Sequence, residues 1–168
     1  MHHPGNAGTE ARLSTWKALV EAVEAGQIKS IGVSNFEVEH LEEIEAWQKA
    51  TEAAGGNGGE LSVNQMELHP WSRYEDVVEW CNERNVILEA YSPLTRGKHF
   101  DDAVLKPIVK RTGKSAAQVL IRWSLQKVSC FQMCITAILT YLARIGFRPS
   151  PQVRYTFPHP GERRGLRL

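Results

Sequence analysis

Cysteine is scarce in this chain. Three thiols in 168 residues, Cys81, Cys130 and Cys134, form no disulfide framework and match no zinc-ligand spacing. They read as buried or idle thiols, and no metal site is expected. Met1-His2-His3-Pro4 lacks the basic and apolar regions of a secretory leader, so a cytoplasmic location is expected. Long apolar runs are missing too: residues 128–143 form a run of sixteen without a charge, where a membrane-spanning helix needs about 20. No membrane partner is expected, with an anchor over residues 128–147 as the lesser reading. Net charge is almost absent at +1, but it is unevenly spread. Residues 1–127 carry 14 Lys and Arg against 18 Asp and Glu, whereas residues 128–168 carry six Arg, no Lys and one acid, Glu162. Two stretches of different physical character therefore meet near Lys127. Six scattered arginines without a recognition motif make no nucleic-acid surface, and no nucleic-acid partner is expected.

What is present is periodicity. At 42% apolar and 23% charged, the composition is that of one globular domain. Trp16, Leu19, Val20 and Val23 recur at helical spacing and predict a helix over Ser14–Ala25, capped by Ser14 and ended at Gly26. Residues 28–33 form a short β-branched run. A second helix is predicted over about 37–53, with Val38, Leu41, Ile44 and Trp47 on one stripe, and "AAGGNGGE" reads as a flexible loop. Strands are expected at 61–68 and 86–91, helices at 73–84, 101–112 and 115–127. In the last, Ala116, Val119, Leu120 and Trp123 form the buried stripe. Alternating strands and helices predict parallel βαβ units. The strands end in polar residues, Ser34-Asn35, Asn64-Gln65 and Tyr91-Ser92, and in parallel α/β sheets ligands sit at the carboxyl ends of strands. Ser34 and Asn35 are thus placed either as ligand contacts or as a cap for the helix that follows.

Four segments, "GQIKSIGVSNF", "SVNQMELHPW", "ILEAYSPLTRG" and "GKSAAQVLIRWSLQ", resemble the aldo-keto reductase family in the right order and on the right elements. The resemblance runs from His2 to about Lys127. It implies a (β/α)₈ TIM barrel that reduces aldehydes and ketones to alcohols by hydride transfer from NADP(H). It further implies that Ser34 and Asn35, ending the family's fifth strand, hydrogen-bond the nicotinamide carboxamide, and that Gln65, ending the sixth, contacts the same amide. Tyr91, ending the seventh, would stack on the nicotinamide ring, while Ser92 and Leu94 begin the loop that supports the pyrophosphate. "MHHPG" resembles the end of the fourth strand, where a His-x-Pro pattern carries a catalytic histidine. Counting back from Pro4, that residue is His2, which would orient and polarise the substrate carbonyl. These residue types suit the task, since an amide needs paired donors and acceptors and a flat ring needs an aromatic platform.

The chain also departs from the family. The proton-donating tyrosine, its lysine and its aspartate lie in the family's first strands and have no counterpart here; Tyr74, Tyr141 and Tyr155 stand outside the matching context. After "RWSLQK" no Pro-Lys-Ser segment follows. The expectation is a partial barrel over residues 1–127, from a stub of strand four to strand seven with their helices. An unrelated basic tail over 128–168 follows it, with a short apolar helix. Lys127-Val128-Ser129 is encodable as a donor splice site, so an intron origin for the tail is hypothesised; a transcript never spliced after the Lys127 codon would refute it. This fragment alone is expected to lack reductase activity, since losing a general acid costs roughly 10²–10⁴-fold. The alternative is a non-enzymatic interaction fragment that associates with itself or with an intact reductase through open sheet edges.

Overall fold

The computed structural model describes residues 1–127, so the tail expected over 128–168 lies outside the described residues. Nine elements follow one another: α1 (Thr9–Glu24), β1 (Ile31–Ser34), α2 (Val38–Ala53), β2 (Leu61–Glu67), α3 (Glu75–Glu83), β3 (Ile87–Tyr91), a 3₁₀ turn (Thr95–Gly97), α4 (Leu105–Thr112) and α5 (Ala116–Lys127). The strands form one parallel sheet in the order β1-β2-β3, with α2 and α3 as the crossovers that parallel neighbours require. This is the α/β arrangement the periodicity predicts. Among the described residues no helix is long and apolar enough to cross a membrane.

Side chains alternate across the sheet, and the two faces differ in character. Ile31 and Val33 of β1, Met66 of β2 with Leu68 just beyond it, and Leu88 and Ala90 of β3 are buried in one apolar cluster with Trp16, Val20, Leu41, Ile44, Val77, Trp80 and Cys81 from α1, α2 and α3. The opposite parity carries a different set, aligned in rows by the register: Gly32 with Val63 and Ile87, Ser34 with Gln65 and Glu89, and Glu67 with Tyr91. Gly32 lets β1 and β2 approach. A Cβ there would lie 2.3 Å from Val63 Cγ1 and 2.5 Å from Val63 O. Gly32→Ala is expected to cost about 1–3 kcal/mol by overpacking, read as a lower urea midpoint; an unshifted midpoint would show that the strands can separate without penalty.

Three expectations need correction. First, α1 starts at Thr9 with Gly8 as its N-cap, which leaves Ser14 inside the helix. Glu10, Ala11, Arg12 and Leu13 are strong helix formers, and Arg12 is anchored besides: its Nε and Nη2 donate to Glu43 Oε2 and Oε1 at 2.8 and 2.7 Å, clamping α1 to α2. Second, α5 turns a slightly different face inward, burying Ala117, Leu120 and Ser124, with Val119 and Trp123 half-buried. Its start is fixed by a reciprocal capping box in which Ser115 Oγ accepts from Gln118 N at 3.2 Å and Gln118 Oε1 from Ser115 N at 2.9 Å. Third, no strand-four stub forms at His2–Pro4. The Met1 nitrogen donates to Gly32 O at 2.6 Å, but Pro4 has no N–H to extend a ladder and Gly5 turns the chain at φ 68.

The Arg12–Glu43 clamp gives the fold a defined acid response. The hydrogen bond from Arg12 holds the Glu43 carboxyl below the ordinary glutamate range. A carboxyl lowered in the folded state stabilises at neutral pH, and that stabilisation is lost as the pH falls through its folded-state value. The difference in thermal midpoint between wild type and Glu43→Gln should therefore be largest near neutrality and should shrink as pH drops below about 4. A difference that stays constant across that range would exclude this origin.

Candidate active site

The carboxyl ends of the three strands bring Ser34, Asn35, Gln65 and Tyr91 together. Asn35 leaves β1 at φ 59, a left-handed conformation that asparagine tolerates better than most residues. Its N–H and the Ser34 hydroxyl both donate to Gln65 O, at 2.8 and 3.0 Å. These bonds tie the Ser34-Asn35 corner to β2. They also dispose of the capping alternative, because the N-cap of α2 is Glu37 and no side chain caps it. Tyr91 OH donates to Asn35 Oδ1 at 2.7 Å, and Asn35 Nδ2 donates to Ser34 Oγ at 3.0 Å. From Tyr91 to Gln65 O the four residues form one continuous network.

Burial pushes the Tyr91 phenol above its ordinary value, with the negative charge of Glu67 and the proximity of Tyr74 adding to the effect; the hydrogen bond to Asn35 opposes it. Tyr91 therefore keeps its proton at neutral pH and remains a donor. Gln65 Nε2 donates to Glu89 Oε1 at 2.8 Å. Beyond Tyr91 the chain makes a tight turn: Ser92 takes φ 53, Thr95 N donates to Ser92 O at 3.0 Å, and Gly97 N donates to Leu94 O at 2.7 Å. Leu94, within this turn, is buried.

His2 joins the cluster through its main chain. Its carbonyl lies 3.4 Å from Asn35 Nδ2, while its ring is exposed and makes an edge contact with His3. The imidazole that reaches Asn35 is that of His3, whose Nε2 is also 3.4 Å from Nδ2.

Three residues that periodicity alone does not single out support the site. Asn64 is fully buried on the helix side, where its Nδ2 donates to Phe36 O at 2.9 Å and its Oδ1 faces Phe36 N at 3.5 Å, so it holds the chain just after Asn35. Glu89 holds Gln65. Glu67 stands opposite Tyr91 with His69 Nε2 3.3 Å from its Oε1. The signal for Asn64 was present in the sequence, as a polar residue sharing parity with Met66 and Leu68. Among the described residues no group of His, Cys, Asp or Glu could hold a metal ion. Cys81 is an unreactive thiol, pushed up to about 11 chiefly by burial. A groove of about 410 Å³ beside α3, lined among others by Leu68, Arg73, Val78 and Trp123, shares no residue with the strand-end cluster.

Comparison with known proteins bears on the family and the fold. The model of the "Aldo/keto reductase family" matches residues 1–144. An uncharacterized oxidoreductase of Schizosaccharomyces pombe is 44% identical over 120 residues, covering 71% of this chain and 40% of the relative. The glyoxal reductase of Bacillus subtilis is 39% identical over 126 residues, covering 75% of this chain and 41% of the relative. The crystal structure of an aldo/keto reductase from Brucella melitensis superposes with a TM-score of 0.61 at 31% identity, covering 79% of this chain and 46% of that one. The chain spans about two fifths of the length of the curated relatives it matches, and its parallel sheet with attached helices corresponds to part of their barrel. Both by its sequence and by its partial barrel, this chain belongs to the aldo/keto reductase family.

Proposed function

We propose that Ser34, Asn35, Gln65 and Tyr91 hold the nicotinamide of NADP(H), in an oxidoreductase that acts on small carbonyl compounds. The observation that carries this reading is the single hydrogen-bonded network joining Tyr91, Asn35, Ser34 and Gln65 O at the strand ends. When bound, the reduced ring supplies the hydride that converts a carbonyl to an alcohol. The residues here fit such a group. Asn35 Oδ1 accepts from Tyr91 and its Nδ2 donates to Ser34 Oγ, so the corner is held rigid beside the ligand, while Gln65 Oε1 has no partner among the described residues and can accept from a ligand's N–H. Tyr91 is held at its hydroxyl, which leaves the ring as a platform for the nicotinamide. Ser92 and Leu94 set the turn expected to support the pyrophosphate, and His2 is the residue proposed to meet the substrate carbonyl. Tyr91 itself is not the proton donor: its hydroxyl is committed to Asn35 and its pKa is raised, whereas the reaction needs an acid made readier to give its proton.

The test is equilibrium binding of NADPH to the full chain, followed by cofactor fluorescence. Tyr91→Ala and Asn35→Ala are each expected to weaken binding about tenfold, the loss of one to two kcal/mol of hydrogen bonding and stacking. Wild-type binding unaffected by either change would overturn the assignment. A second reading, association of the sheet with another chain, is favoured by Ile87, which is 43% exposed on β3. β3 also pairs with a strand on only one side among the described residues. Sedimentation velocity showing a monomer at micromolar concentration would dismiss it.

A further inference from the structure

Gln65 and Glu89 face one another in register across β2 and β3, both half-buried on the sheet face opposite the helices. A glutamine amide is nearly symmetric in shape, and only its hydrogen-bond partners decide which end points where. A carboxylate accepts and never donates, so Glu89 compels the amide to turn its nitrogen inward, and Nε2 donates to Glu89 Oε1 at 2.8 Å. No other partner of the Gln65 side chain exists among the described residues, so Glu89 alone sets this rotamer. At Asn35 the Tyr91 hydroxyl donates to Oδ1 and leaves Nδ2 to donate to Ser34 Oγ. Two amides that could each have pointed either way are thus locked by their partners, and of the two it is Gln65 whose outward C=O has no partner among the described residues. Glu89 is also a costly choice for this position, because a half-buried carboxylate needs a donor to satisfy it.

We propose that Glu89 is a positioning residue. By fixing the Gln65 amide with Oε1 outward, it makes the site select a cofactor ring whose substituent donates a hydrogen bond. This rests on the nicotinamide reading given above, but the lock itself can be observed without cofactor.

Two measurements on the full chain test it. In amide-resolved NMR, the two Gln65 Nε2 protons should be widely separated in wild type, because one is bound to a carboxylate. Glu89→Leu should collapse that separation towards the value of a free glutamine, and a separation that does not change would overturn the lock. In binding, Glu89→Leu, which removes the acceptor, should weaken NADPH by about fivefold, the worth of one hydrogen bond. It should leave the reduced 3-acetylpyridine analogue, which carries a methyl in place of the amide NH₂, changed by less than about twofold. An equal loss for both cofactors would mean that Glu89 acts only structurally, and would overturn the proposal. If the NMR lock is seen and wild type binds neither cofactor, the nicotinamide reading fails while the role of Glu89 in orienting Gln65 stands.

Discussion

Trp16→Ala is expected to lower the unfolding free energy by about 3–5 kcal/mol, a large share of the 5–15 kcal/mol typical of a whole domain. Trp16 is completely buried, and it packs in the cluster formed by α1, α2 and the helix-facing side of the sheet. Its indole also donates from Nε1 to Gly58 O at 3.1 Å, in the glycine-rich loop that leads into β2. Truncation would open a cavity the size of an indole and release that loop together. Urea unfolding followed by circular dichroism at 222 nm measures the loss without depending on tryptophan emission. Trp16→Phe separates the two contributions, because it keeps most of the packed area and gives up only the hydrogen bond, for an expected cost of about 1 kcal/mol. A loss below about 1 kcal/mol for the alanine variant would mean that the core is organised around other residues.

The second large effect is expected at Asn64. Asn64→Leu keeps the volume but leaves both the N–H and the carbonyl of Phe36 buried without their partner, at roughly 1–3 kcal/mol for each group. The damage reaches the site, since Phe36 follows Asn35 directly and fixes the exit of the chain from its left-handed turn. The folded fraction of Asn64→Leu should bind NADPH about tenfold more weakly, as if Asn35 itself had been removed. Loss of stability with cofactor binding unchanged would show that the Ser34-Asn35 corner is held by β2 alone.

Much of this organisation is legible in the sequence, because it is periodic. Trp16, Leu19, Val20 and Val23 announce α1, and short β-branched runs ended by polar pairs announce the strands and the candidate site at their ends. Helix boundaries are less legible. Ser14 looks like a cap because serine is a common one, yet the helix begins five residues earlier, where Arg12 finds Glu43 on a helix about thirty positions away. No local signal encodes that clamp. The glycine-rich stretch after α2 misleads for a related reason: it reads as flexible, but Trp16 holds Gly58 O and Gln48 Nε2 donates to Gly59 O at 2.6 Å. At the strand ends, side-chain types reveal Ser34, Asn35, Gln65 and Tyr91, whereas the direction of each amide depends on which partner the register sets opposite it. Glu89 becomes meaningful only once β2 and β3 are aligned.

The alternation of the strands has an evolutionary consequence. Most residues that glue the sheet to its helices and most of those proposed to meet a ligand occupy opposite parities of the same three short segments. A mutation on one parity touches mainly neighbours of its own kind, and effects of changes without shared partners tend to add. Ligand preference in such a sheet can therefore drift by single substitutions at positions such as 65, 89 and 91 while the core goes on satisfying its own constraints. Asn64 couples the two histories, for it sits on the structural parity and holds the chain next to the proposed ligand corner.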